Sequence, residues 1–118
     1  MGRPTAYRGN VCTICFALAQ SGCPGLEFYE KCSDRDKAKL NKLFQWLGDH
    51  GWINNEEKFK PIEGTKFFEF KSFQIRMPCF WKGGEMVITH GFIKKTGPIP
   101  STEIKRAERI KDEDATID

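Results

Sequence analysis

The chain has 118 residues, 39% of them hydrophobic and 13% aromatic, which suits one folded domain with a modest core and excludes a globally disordered chain. No apolar run approaches the ~18 residues that a membrane-spanning helix needs, so such a helix is excluded. The formal net charge of +3 is too small to name a partner by itself.

Residues 11–16 are rich in β-branched and apolar side chains and read as a strand. Ser21-Gly22-Cys23-Pro24 breaks it, and Pro24 opens a short helix carrying Leu26, Tyr29 and Cys32. Ser33, with Asp36 three residues on, is a variant of the capping box. It starts a longer helix in which Leu40, Leu43, Phe44 and Leu47 recur at helical spacing, ended by Gly48 and Gly51. The polar residues 54–60 form a loop carrying Lys58 and Lys60. In residues 66–71, Phe68 and Phe70 alternate with Glu69 and Lys71, the pattern of a half-buried strand.

Ser72 marks a reversal into a strand over residues 73–82, with Phe73, Ile75, Met77, Cys79 and Trp81 on one face and Gln74 and Arg76 on the other. Pro78 removes a ladder donor there, which implies a bulge or an exposed edge. Gly83-Gly84 is a hairpin signal into a strand over residues 85–94. After Pro98 and Pro100, Ser101 caps a final helix to about Ile110, with Glu103 favourable in its first turn. The order β-α-α-β-β-β-α describes a small α+β domain over residues 1–111, with helices packed on one face of a largely antiparallel sheet.

Charge is unevenly spread along the chain. Residues 1–57 hold seven Lys/Arg and seven Asp/Glu, residues 58–111 hold twelve and five, and residues 112–118 hold four acids and no base. A basic half is therefore masked by an acidic stretch, for which a disordered, solvated tail is the expectation. A basic half-domain with interleaved aromatics is the electrostatic footprint of a polyanion binder, nucleic acid first, against the alternative of a merely solvated surface.

The five cysteines do not suit a closed disulfide framework. Cys12 and Cys15 form a CxxC within the first strand, where residues i and i+3 point to opposite faces and do not chelate one metal. The expectation is buried or free thiols in a reducing cytosol, with no metal and no cofactor. Arg3 and Arg8 precede an apolar run that ends in Ala17-Leu18-Ala19, as in a signal peptide, but Thr13 and two cysteines interrupt it, and a cytoplasmic protein is expected.

His90-Gly91-Phe92-Ile93-Lys94-Lys95-Thr96, followed by two prolines and then Glu103-Ile104 and Ala107, resembles the C-terminal block of phage-derived, HigB-like toxins of the RelE superfamily of type II toxin–antitoxin systems. Phe68-Glu69-Phe70-Lys71 resembles the family's Leu-Tyr-Glu-Leu-Arg strand, and Ile75-Arg76-Met77-Pro78-Cys79-Phe80 resembles the strand that follows it. The resemblance implies a RelE-like fold and a ribosome-dependent mRNA endonuclease that cleaves without metal. In such an enzyme the 2′-OH of the mRNA attacks the adjacent phosphate, leaving a 2′,3′-cyclic phosphate and a 5′-OH. The implied partners are mRNA, the ribosome and a cognate antitoxin of the helix-turn-helix type, with no membrane.

That chemistry needs a proton acceptor, cations for the phosphorane charge and a proton donor for the leaving oxygen. Arg76 is the candidate for phosphate stabilisation, or else a structural partner of Glu69 across the hairpin. His90 is a candidate general acid or base, or else a core histidine between the apolar Ile88 and Phe92. Glu69 is a candidate general base and Lys71 a fourth catalytic candidate, while Lys58, Lys60, Lys94 and Lys95 are candidates for RNA or ribosome contact. Lys71 stands where the family carries arginine, and Cys79 where relatives often carry tyrosine. These departures support an alternative reading, a non-catalytic module of the same fold that binds RNA, the ribosome or a protein. The strand phenylalanines read as core.

Overall fold

The computed structural model describes residues 2–95 and 97–117. Helix α1 (Pro24–Lys31) begins on its proline, whose missing N–H falls where no helical partner exists. Helix α2 (Asp34–His50) is capped by Ser33, whose Oγ accepts the Asp36 N–H at 3.1 Å. Of the two glycines expected to end it, Gly51 is the cap, left-handed at φ 80° and donating its N–H to the Leu47 carbonyl at 2.7 Å. Gly48 lies inside the helix, buried, because the chain crosses there: its carbonyl accepts the N–H groups of Val11 and Cys12.

Among the described residues seven strands form one mixed sheet in the order β1 (Thr5–Arg8), β2 (Thr13–Phe16), β6 (Glu85–Ile88), β5 (Ile75–Lys82), β4 (Phe68–Ser72) and β3 (Phe59–Pro61), with β7 (Phe92–Ile93) paired to β5 beyond the end of β6. All pairs are antiparallel except β2 with β6. Two edge strands, β1 and β3, were not expected. Each is only three or four residues long, and Pro61 sits in β3, as edge strands tolerate.

The expected 85–94 strand is broken, and Pro78 supplies the reason. Pro78 is buried inside β5, so the anticipated exposed edge is absent. Its carbonyl accepts the Thr89 N–H at 2.9 Å, and the N–H that proline lacks would point to the same side. There the partner strand leaves the ladder at residues 89–91, between β6 and β7.

The alternation expected in β4 and β5 holds, and it divides the core. Phe16, Phe70, Met77, Cys79, Met86 and Ile88 pack under Leu40, Phe44 and Leu47 of α2. On the opposite face Cys15, Ala17, Phe67, Phe80 and Val87 pack against Ala107 and Ile110 of helix α3 (Ser101–Ile117). Cys12 and Cys15 thus lie in different cores, on opposite faces. The helices were expected on one face; α3 covers the other, because Cys15, Phe80 and Val87 make that face apolar as well. Helix α3 also runs to Ile117, well past Ile110. Residues 112–117 are helical where a tail was expected, since Asp114 is buried against Arg3; Asp118 lies outside the described residues.

Candidate functional site

The β4–β5 hairpin sets the site. Its register pairs Lys71 with Arg76 and Glu69 with Pro78, and the β3–β4 register pairs Lys60 with Glu69. Directly paired residues of antiparallel strands share a face, so Lys60, Glu69, Lys71 and Arg76 all stand on the α3 side of the sheet. Lys94 joins them, its backbone N–H donating to the Gln74 carbonyl at 2.8 Å. These five side chains line a cleft of about 620 Å³, together with Glu56 and Glu63 and an apolar wall of Ile62, Ile99 and Ile104. A second depression of about 380 Å³ shares Lys71 and Arg76 and adds Lys58, Glu57, Ser72 and Phe73. Lys95 is exposed and lines neither.

Glu69 is 4% exposed, and its Oε1 lies 3.5 Å from Arg76 Nε. Burying both members of an ion pair is costly unless their hydrogen bonds are complete. Here they are not, because the buried Nε has no hydrogen-bond partner. Arg76 Nη1 donates instead to the Phe73 and Ile75 carbonyls at the hairpin turn, and Nη2 has no hydrogen bond among the described residues. The guanidinium is therefore aimed by the turn, with donor capacity left over. Lys71 donates to the Glu56 carbonyl at 3.2 Å, and burial, followed by the nearby Lys60 and Arg76 charges, holds its pKa below the ordinary lysine value. A buried carboxylate among converging cations can accept a proton beside a site where anionic oxygen is stabilised.

His90 is not in the cleft. Its ring is fully buried, with Nε2 3.0 Å from Glu103 of α3 and Nδ1 2.9 Å from the Thr89 hydroxyl. Burial, and then the Arg106 charge, lowers its pKa to about 4 against the opposing pull of Glu103. A neutral ring donating from Nε2 to the carboxylate and accepting at Nδ1 satisfies both contacts. Of the two roles open to His90, acid–base group or core histidine, this burial fits the second: the ring ties the β6–β7 break to the first turn of α3, next to the wall residue Ile104.

A family model described as phage derived protein Gp49-like (DUF891) matches residues 27–112, nearly three-quarters of the chain. The chain belongs to the Gp49-like family. No curated protein matches it significantly. The Gp49-like family is associated with RelE-like toxins of toxin–antitoxin systems, and this chain's α+β architecture is broadly that of a RelE-like fold. The Gp49-like match spans every residue of the cleft named above and leaves out β1 and β2. No helix among the described residues is long and apolar enough to cross a membrane.

Within this Gp49-like chain, Glu69, Lys71 and Arg76 were singled out by their likeness to the toxin strands, and the strand faces they occupy by period-two alternation. It missed the Ile62, Ile99 and Ile104 wall, which is assembled from a loop, a linker and a helix with no shared periodicity. It also missed Phe73, which occupies the hairpin turn and not the strand. Thr96, the last residue of the block that resembled the toxins, lies outside the described residues.

Proposed function

We propose that this chain is the toxin of a toxin–antitoxin pair, a HigB-like endoribonuclease that cleaves mRNA on the ribosome. The observation that supports it most is the buried Glu69 against Arg76 in a cleft also lined by Lys60, Lys71 and Lys94, in a chain of a family associated with RelE-like toxins. In this reading Glu69 takes the proton of the mRNA 2′-OH as its oxygen attacks the adjacent phosphorus. Arg76, with Lys60 and Lys94, stabilises the charge on the phosphorane. Lys71, whose lowered pKa makes it a readier acid than an ordinary lysine, protonates the departing 5′-oxygen. The products are a 2′,3′-cyclic phosphate and a 5′-OH. His90 positions the α3 wall and exchanges no proton. Lys58 and Lys95 contact ribosomal RNA, and a helix-turn-helix antitoxin silences the chain in the cytoplasm.

Expression without antitoxin tests this reading. Growth arrest is expected from the wild type and relief from Glu69→Gln and Arg76→Ala, both checked for folding by circular dichroism. A soluble wild type that neither arrests growth nor cleaves mRNA contradicts it. Two observations favour a second reading, a non-catalytic RNA- or ribosome-binding module: Arg76 spends Nη1 on the two turn carbonyls, and Lys71 lacks a guanidinium fork. Salt-sensitive ribosome binding without cleavage selects that module.

A further inference from the structure

Phe73 is the most exposed large apolar side chain among the described residues, at 69%. It sits at the tip of the β4–β5 hairpin with φ 53°, and it is the only non-glycine described with a positive φ. Glycine or asparagine takes that conformation with little strain, whereas a bulky residue does not. The fold therefore carries an aromatic ring where neither burial nor backbone preference favours one. Its surroundings are cationic. Lys39 of α2 places Nζ 3.9 Å from the ring centroid, and Arg76 Nη1 holds the Phe73 carbonyl. Phe73 also lines the second depression with three cations, Lys58, Lys71 and Arg76, against one carboxylate, Glu57; Lys71 and Arg76 line the main cleft as well. Burial, then the nearby Arg35 and Lys58, holds the Lys39 pKa below the ordinary lysine value against the pull of Asp36.

An aromatic platform beside a track of cations suits single-stranded nucleic acid, because each nucleotide brings a π-face and a phosphate together. An apolar protein surface has no use for four surrounding cations. We infer that Phe73 is a base-stacking platform for single-stranded RNA. The base next to the phosphate at Arg76 lies on the ring face opposite Lys39, and the Lys39 ammonium meets the neighbouring phosphate. Stacking of this kind tolerates any base. The inference rests on the cleft being a phosphate site, as proposed above.

The test uses the full chain, a fluorescein-labelled single-stranded RNA decamer of mixed sequence, and inorganic polyphosphate as a probe with charge but no bases. Phe73→Leu is expected to weaken RNA binding about five- to a hundred-fold. The salt slope should stay unchanged, since no phosphate contact is lost. Phe73→Trp retains affinity, and Phe73→Gly binds as weakly as Phe73→Leu while melting no lower than the wild type. Polyphosphate affinity is the same in all four proteins. Wild-type RNA affinity in Phe73→Leu overturns the stacking role and leaves the phosphate site standing, as does an equal loss for RNA and polyphosphate. A wild type that binds neither probe removes the phosphate site and the stacking role together.

Discussion

The half-buried Arg3 and the buried Asp114, 111 positions apart, form an ion pair with three hydrogen bonds, the shortest of them 2.6 Å from Nη2 to Oδ1. Asp114 Oδ2 also accepts the Leu18 N–H at 2.8 Å, and Arg3 Nη1 reaches Glu85 at 3.0 Å. One carboxylate thus joins the segment before β1, the segment just after β2 and the last turns of α3. Asp114→Ala leaves the Arg3 charge and the Leu18 N–H without that partner and is expected to cost about 2–4 kcal/mol. Thermal denaturation should show a drop of roughly 10 °C; an unchanged Tm means that the pair contributes nothing net.

A second stability prediction concerns the crossing of the β1–β2 turn over α2. A Cβ built on Gly9 falls 2.1 Å from the Gly48 carbonyl carbon, a contact with backbone that no rotamer change relieves. Gly9→Ala is expected to destabilise the fold by about 1–3 kcal/mol through forced separation of the turn from the helix. Gly64→Ala is no packing control for it, because Gly64 sits at φ 77°. Gly84→Ala is the better comparison, since its Cβ meets nothing within 4 Å, and urea denaturation should show a much smaller loss there.

His90 makes stability depend on pH. Its native pKa, near 4, lies below the ordinary 6.5, so the unfolded chain binds the proton first as pH falls. The stabilisation is fully present above about pH 6.5, declines between about 6.5 and 4, and is constant below that range, amounting to about 3 kcal/mol at most. His90→Gln, which keeps a donor and an acceptor but does not titrate, should flatten that part of the curve. A variant with the same pH profile as the wild type assigns the dependence to other groups.

Much of this geometry was readable one element at a time. Ser33, the Leu40–Leu47 spacing and the Phe68–Lys71 alternation are local patterns, so α2 and the acidic-and-basic face of β4 could be placed from them. What stayed hidden depends on partners far off in the chain. The helical turns after Ile110 need Arg3, and the break at residues 89–91 needs the proline of the neighbouring strand. The strand face of Arg76 was legible, yet its bonds to the turn carbonyls and the exposure of Phe73 follow from a reversal at Phe73-Gln74, just past Ser72. For His90 two roles, acid–base group and core histidine, stayed open for a similar reason: alternation assigns a face to a continuous strand and says nothing at an interruption, and the ring proves fully buried.

The cleft lysines carry their own expectation. If Lys60 and Lys94 each contact one RNA phosphate, replacing either with alanine removes one counterion-release contribution. The slope of log affinity against log salt for single-stranded RNA should become shallower by about 0.7 for each. Lys82→Ala, at the exposed far end of β5 and away from the cleft, should leave the slope unchanged.

Analysis of the RNA ends formed on mRNA-loaded ribosomes tests the central proposal most directly. Purified wild-type protein is expected to leave 2′,3′-cyclic phosphate and 5′-OH ends, with Glu69→Gln slower by about 10²–10⁴ and Arg76→Ala by about 10²–10³. Cleavage that persists at the wild-type rate in both variants, ends of the opposite polarity, or no cleavage by folded wild-type protein would contradict the assignment.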